Sequence, residues 1–522
     1  MTRSLTSGRL AIRAAQAEAA LAVHAPQLVD GFLGALPGAA DTVGRRLLGA
    51  LVREGLAADP GGGSPHGFDR VEFAAGTVPD PIAVLPAGLP GNADGFAAEL
   101  RDAVVNLAIA TARPGRAEAH DPDAEAINLE RLAVAGHNLH PCGRTRLGWD
   151  TTDVLAYDLE AGHSTVGFVA VRDESLLGDD VGAALRETYP QLPEPPPGHR
   201  LQPVHPWQRD NRLAALARDG VLTILDAELP AAPTAALRTL LLPAGRDGRR
   251  HYAKVSLDIQ VTSTRRSISV ASTRNGPAVS RLLHELAARE DRLILLAETA
   301  GAAVAAGSGR DVAAILRDGL TGRLGAGERA VPGGALPMLL AGLVDESGLG
   351  PQGWLRAYAK LLLPPLLRLT AQGVALEAHL QNCLPTFTAG RPHRLAVRDF
   401  AGLRLHPGRL AATGHRIALW PGSVIGTGDE NVLRAKIGYT AFQAHLGELI
   451  IRLGQTHGLA EATAWRTVRA VIDDTYETLP GARGDHAAFT APTMPHKALV
   501  RMRLLGGGDA YLDVRNPLHA PA

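Results

Sequence analysis

Two short polar blocks, each set in apolar sequence of strand length, constrain this chain more than any other stretch: VALEAHLQNCL at 374–384 and LAVRDFAG at 395–402. If 374–381 is extended, its side chains alternate between faces. Glu377, His379 and Gln381 then share one face, with Ala378 and Leu380 on the other. Residues 395–397 read as a second short strand that ends in Arg398 and Asp399 and is closed by Gly402. Two adjacent strand ends carrying Glu377, His379, Asn382 and Asp399 form an oxygen-rich cluster suited to Mg²⁺ and a polyphosphate. The alternative is a buried polar network between two strands of an ordinary α/β core. Clustered buried acids point toward a ligand.

A polar block ending in Asn, a gap, then Asp-Phe also resembles the catalytic loop and metal-binding Asp of kinases. No P-loop and no paired-glycine dinucleotide fingerprint is present. The 522 residues are enough for two to four domains, and 46% apolar with 20% charged residues is ordinary for a soluble enzyme. Formal net charge is zero and the pI about 7.4, so no global field favours nucleic acid or an anionic membrane. No apolar run approaches the ~20 residues that span a bilayer, and the N-terminus has no signal-like core. A cytoplasmic location is therefore expected. Cys142 and Cys383 form neither a disulfide framework nor a zinc site. Only four of the 53 basic residues are lysine: Lys254, Lys360, Lys436 and Lys497. In an Arg-rich chain, a retained lysine marks a place where a compact ammonium is needed, and Lys254 and Lys497 lie in motif-like segments.

Periodicity predicts helices over 8–57 and 97–112, then a polar break at 112–123. A β-hairpin is expected at 154–174, a proline linker at 190–199, and strands at 221–227, 237–244 and 252–264. Helices are expected at 278–306, 353–371, 430–457 and 461–479. This is an α+β enzyme with a helical N-terminal piece, a β-rich middle and a mixed C-terminal piece.

Four further blocks carry candidate chemistry. AGHNLHPCGRTRLGW (135–149) combines His137 and His140 with Arg144 and Arg146, a set suited to a polyanion. In QPVHPWQRD (202–210), His205 either lines a pocket or belongs to a rigid turn anchored by Trp207. YAKVSLDIQVTSTRRSISVASTRNGP (252–277) reads as a strand pair in which Lys254, Ser263, Thr264, Arg265, Arg266 and Arg274 either present a phosphate-binding edge or defend a solvated one. MPHKALVRMRLLGGGDAYLDVRNPL (494–518) places Lys497, Arg501 and Arg503 before a glycine-rich turn.

In this order, the blocks GHNLHPCGRTRLGW, PVHPWQ, KVSLDIQVTSTRRSI, EAHLQN, RDFAG and KALVRMRL resemble the NRPS-independent siderophore synthetases of the IucA/IucC family, over about residues 130–518. The resemblance implies a hand-like α+β fold, with a helical thumb (1–123), β-rich fingers (124–300) and a mixed α/β palm (301–522), and ATP between fingers and palm. It implies adenylation of citrate or a related acid, followed by capture with an amine or alcohol, and a homodimer. Carried over motif by motif, His137, Arg266 and His379 are the catalytic candidates. Ser263, Thr264, Arg266, Arg274, His379, Gln381, Asn382 and Asp399 fall to ATP, with Arg398 as a second choice. Glu377, Asn382 and Asp399 fall to Mg²⁺. His140, Arg144, Arg146, His205 and Lys497 fall to the substrate. Arg144 stands where the family often has lysine. Two rival readings use the same cluster: a small-molecule phosphotransferase, and a non-catalytic carboxylate- or siderophore-binding homologue.

Overall fold

The computed structural model describes residues 8–519 except 114, 116, 117, 263 and 507. Among these residues three assemblies build the chain. The first is helical. Helices Gly8–His24, Val29–Arg53 and Ala93–Ala112 pack on one another through Leu10, Leu21, Phe32, Leu47, Phe96, Leu100 and Val104, all essentially inaccessible to solvent. Asn92 starts the third helix by accepting a hydrogen bond from the Gly95 N–H.

The second assembly is an eight-stranded antiparallel sheet. Its spatial order is Leu176–Gly178, Glu298–Val304, Ala313–Asp318, Arg250–Val255, Thr239–Ala244, Leu222–Pro233, Ser164–Arg172 and His199–Val204. The sheet curls, and the Gln202 amide on the last strand donates to the Ala302 carbonyl on the second, across the barrel-like interior (3.2 Å). Phe168, Val169, Leu201, Leu240, Val255 and Ala314 fill that interior. Strand Glu298–Val304 spans the expected boundary at 300/301.

The third assembly is a four-stranded sheet ordered Leu293–Leu295, Arg391–Val397, Cys383–Thr388 and Arg329–Ala330. Its first pair is parallel, and the others are antiparallel. Helix Gly350–Ala371 covers it with Trp354, Tyr358, Leu362 and Leu366, and helices Gly447–His457 and Glu461–Glu477 extend the same core. Between Ile437 and Gly447 the chain widens into a π-helix, Gly438–Leu446, every residue of which is buried.

Three expected elements differ. The hairpin at 154–174 is a helix, Thr151–Tyr157, followed by the strand Ser164–Arg172. Asp150 and Asp153 form a reciprocal capping box that nucleates the helix. The helix at 278–306 ends at Leu286, and its Ala-rich second half is strand Glu298–Val304. Small residues are needed there because helix Val270–Leu286 lies directly on the strand; a Cβ on Gly301 would sit 2.3 Å from the Thr273 carbonyl oxygen. Tertiary packing overrides alanine's helix preference. Finally, 374–381 is not extended beyond Val374–Ala375, so strand alternation does not place Glu377, His379 and Gln381.

Candidate active site

The EAHLQN segment is a loop held from behind by buried side chains. His445, on the π-helix, bonds the Ala378 carbonyl through Nδ1 (3.0 Å), and its Nε2 meets the Tyr358 hydroxyl (2.7 Å). Asn382 donates from its amide to the Glu377 carbonyl (3.1 Å). The backbone between these anchors projects Glu377 and His379 from one turn. Lys436, in the helix that runs into the π-segment, pairs with the Glu377 carboxylate at 2.9 Å. Burial opposes ionisation of Glu377, but Lys436, His379 and Lys497 outweigh it and hold the group below its ordinary range. Gly402 passes so close that a Cβ there would lie 1.9 Å from Glu377 Oε2. The glycine of RDFAG is thus a steric condition for the glutamate of EAHLQN.

Strand Arg391–Val397 delivers the RDF block. Arg398 turns inward to a buried ion pair with Glu130 and donates to the Gln381 carbonyl (3.1 Å). Asp399 adopts φ 64°, a left-handed conformation that costs a non-glycine residue roughly 1–3 kcal/mol. Lys254, 2% exposed and reaching from the curled sheet, holds it at 2.7 Å. Burial opposes the charge on Asp399, yet Lys254, Arg238 and Arg317 hold its carboxyl far below the usual range. Lys254 also faces Glu298 at 3.9 Å. There burial dominates and pushes the glutamate upward.

Across from these acids stands Arg266, on strand Thr264–Arg266, which pairs with Leu257–Val261. Among the described residues it has no ion pair, and its one side-chain hydrogen bond goes to Thr262 Oγ1 (3.3 Å). Burial pulls its pKa down to about 9, and the nearby Arg238 and Arg146 add to that, while Asp399 and Glu377 pull the other way. The two blocks at 264–266 and 377–399 are therefore in one electrostatic environment. Arg238 locks the segment by donating to the Arg266 and Ser267 carbonyls (2.9 and 3.0 Å). A half-buried guanidinium with no ion pair among the described residues, beside two other cations, is chemically suited to an anion.

Histidines complete the cluster. The His137 ring is 6.3 Å from both His140 and His379. Burial lowers all three, His140 to about 3, so the rings are neutral at physiological pH. His137 Nδ1 accepts from the Leu139 N–H (3.1 Å), which assigns the proton to Nε2 and makes that atom a donor. Lys497 contributes positive potential to His137 and Glu377 while bound to Asp509 at 2.8 Å.

Other expected site residues are placed elsewhere. Arg144 and Arg146 are buried against Asp158 and Glu160; Arg146 meets Asp158 at 2.9 Å and Arg144 meets Glu160 at 2.5 Å. Their forks are engaged by protein carboxylates and not presented to a substrate acid. His205 is fully buried and caps helix Pro206–Arg212 by accepting from the Trp207 N–H. Arg274 sits on a helix, over the Trp420 ring at 5.7 Å, and not on a strand edge. The Gln381 side chain is exposed, Asn382 and Arg398 position backbone, and His140 accepts from the Cys142 N–H (3.0 Å). Ser263 lies outside the described residues, and of Thr264 only the strand position is described. Lys436, Arg238, Glu298 and Arg317 belong to the cluster without having been assigned to it from sequence. Lysine scarcity was the one signal that could have found Lys436.

Among the described residues no three His, Cys, Asp or Glu side chains converge as a metal cage. Mg²⁺ typically takes one or two carboxylates and completes its shell with water and phosphate oxygens. Glu377 and Asp399 fit that limited demand, each already balanced by a lysine; the Asn382 amide, turned to a carbonyl, does not.

Residues 125–338 match the IucA / IucC family, and residues 352–512 match the family described as ferric iron reductase FhuF-like transporter. The citryl-spermidine/3,4-dihydroxybenzoyl-citryl-spermidine:spermidine ligase of Bacillus anthracis is 26% identical, covering 75% of this chain and 71% of that protein. The mixed α/β fold is that of the petrobactin biosynthesis protein AsbB of Bacillus anthracis str. Sterne (TM-score 0.79, 20% identity, 94% of this chain and 98% of that one). It is likewise that of ATP-bound aerobactin synthetase IucA from a hypervirulent pathotype of Klebsiella pneumoniae (TM-score 0.71, 20% identity, 92% and 99%).

Proposed function

We propose that this chain is an ATP-dependent ligase of siderophore assembly, a reading supported by the match of residues 125–338 to the IucA / IucC family and by the similar ligase of Bacillus anthracis. It activates a carboxylate of citrate or a related di- or tricarboxylic acid and joins it to an amine or alcohol. The observation that carries the reading is Arg266: a half-buried guanidinium with no ion pair among the described residues, sharing one environment with Asp399, Glu377 and two neutral histidines. In this reading the cleft lies between Lys254 of the curled sheet with Arg266 of the neighbouring strand pair on one side, and Asp399 at the end of the smaller sheet on the other.

A free carboxylate is anionic and has no leaving group. Its oxygen attacks the α-phosphorus of ATP, forming a C–O–P anhydride while pyrophosphate departs. The acceptor nitrogen or oxygen then attacks the acyl carbon, the C–O bond to AMP breaks, and the acceptor's proton is released. Arg266 offsets charge on the phosphates, and the His137 Nε2–H donates to an anionic oxygen without adding net charge. Lys254 fixes Asp399, and Lys436 with Gly402 fixes Glu377, the two carboxylates that would hold Mg²⁺. Bound Mg²⁺ would supply further neutralisation of the triphosphate.

The test is the product set with citrate and a panel of amines and alcohols. AMP with pyrophosphate, and an acyl hydroxamate on adding hydroxylamine, fit the proposal. ADP would assign a phosphotransferase, and binding without turnover a non-catalytic homologue.

A further inference from the structure

A cavity of about 270 Å³ opens between helix Val29–Arg53, strand Val71–Glu72 and helix Gly447–His457, with Asn138 and Leu139 forming one wall. It shares the loop at 137–139 with the candidate active site, but none of Glu377, His379, Asp399 or Arg266 lines it. Five arginines do: Arg45, Arg46, Arg53, Arg70 and Arg452. Only two carboxylates, Glu72 and Glu448, line it with them.

These arginines are not equally satisfied. Arg45 pairs with Asp41 outside the cavity (2.8 Å). Arg70 is shared between Glu72 and Glu448, which leaves its Nη1 buried with no partner. Arg452 reaches Glu448 at 3.2 Å. Arg46 has no carboxylate; it donates to the carbonyls of Ala135 (2.6 Å) and His137 (3.0 Å). Among the described residues Arg53 forms no ion pair, and its Nε is buried without a hydrogen-bond partner. Burial lowers Arg46 and Arg53 to about 10, so both remain cationic at neutral pH. Two half-buried cations that form no direct ion pair among the described residues leave positive potential facing the cavity. The cavity lies just below the ~300–1,000 Å³ typical of ligand sites, which suits a small occupant.

We infer that this cavity is a second anion site, built for a compact di- or trivalent carboxylate or phosphate, with Arg53 as its uncommitted ligand. Arg46 connects it to the catalytic loop, because the same guanidinium that would meet the anion holds the His137 carbonyl. The inference is independent of the ligase reading.

The test is calorimetric titration of the full chain with citrate and, separately, inorganic phosphate, in wild type, Arg53→Gln and Arg266→Gln. Arg53 has no ion pair to lose among the described residues, so Arg53→Gln is expected to stay within about 1 °C of the wild-type melting temperature and to keep pyrophosphate release. It should weaken one class of anion site by at least about tenfold, the worth of one charge-assisted hydrogen bond. Arg266→Gln should retain that class. Citrate alone binding there makes the ligand an organic acid; phosphate alone makes it a phosphate. The inference is overturned if neither anion binds, or if the site survives Arg53→Gln and is lost in Arg266→Gln.

Discussion

Arg266→Gln should make the protein more stable and less active. In the native state the Arg266 guanidinium is half-buried, donates one 3.3 Å hydrogen bond among the described residues and sits near Arg238 and Arg146. The depression of its pKa to about 9 corresponds to on the order of 4 kcal/mol against the charged native form. Below pH 9 the group is charged in both folded and unfolded chains, so at pH 7 the whole penalty is present; it fades only as pH rises past 9. Water in the cleft screens much of it, leaving about 1–2 kcal/mol for glutamine to relieve. A rise in melting temperature of about 1–2 °C is expected. Wild type should regain that stability on binding Mg-ATP, by about 2.7 kcal/mol at a hundred times Kd. The variant should lose both this ligand response and at least about a hundredfold in pyrophosphate release. Differential scanning fluorimetry with and without Mg-ATP, beside a pyrophosphate assay, reads all three. A less stable variant that keeps the ATP shift would make Arg266 a structural cation and sink the reasoning.

Gly402→Ala should force Glu377 off Lys436, because the new methyl would overlap Oε2; pyrophosphate release should fall by roughly tenfold or more in a folded protein, and unchanged turnover would remove Glu377 from the chemistry. Lys254→Met keeps the side-chain length but strips the ammonium from Asp399 and the buried Glu298. Denaturant titration should show a loss of about 3 kcal/mol, with activity abolished; wild-type stability would mean the triad is not coupled. Three buried imidazoles, His140 and His205 at about 3 and His445 at about 4, stay neutral when folded. The unfolded chain takes up their protons below pH 6.5, so stability should drop by up to ~4 kcal/mol between pH 6 and 5. A flat urea midpoint over that interval would show these rings charged in the native state.

What the sequence disclosed was governed by distance along the chain. EAHLQN, RDFAG and the arginine of TSTRR could be read as phosphate chemistry because their residue types declare it locally. Strand 395–397, the helix beginning near 353 and the long N-terminal helices follow from apolar periods that the fold respects. The errors came where a partner lies far away in sequence. Nothing near Arg144 or Arg146 shows that the acids of a later turn, Asp158 and Glu160, will claim them. Nothing near Ala302 shows that a helix will press on its strand and demand small residues. His205 reads as a ligand or a cap equally well until the helix it starts is seen. Lys436 was hidden for the same reason, being 59 residues from the glutamate it neutralises.

The π-helix at 438–446 has a consequence for how the EAHLQN loop can change. Each wide turn holds more residues than the 3.6 of an α-turn, so deleting one residue would rotate everything beyond it by about 100°. Lys436 lies before the wide segment and His445 inside it, and both must point at the same loop, one at Glu377 and the other at Ala378. Gln443, between them, must meet His496 and the Pro495 carbonyl beside Lys497. Substitutions here can be absorbed one at a time, but a single-codon deletion early in the wide segment would swing Gln443 and His445 off their partners together while Lys436 kept its place.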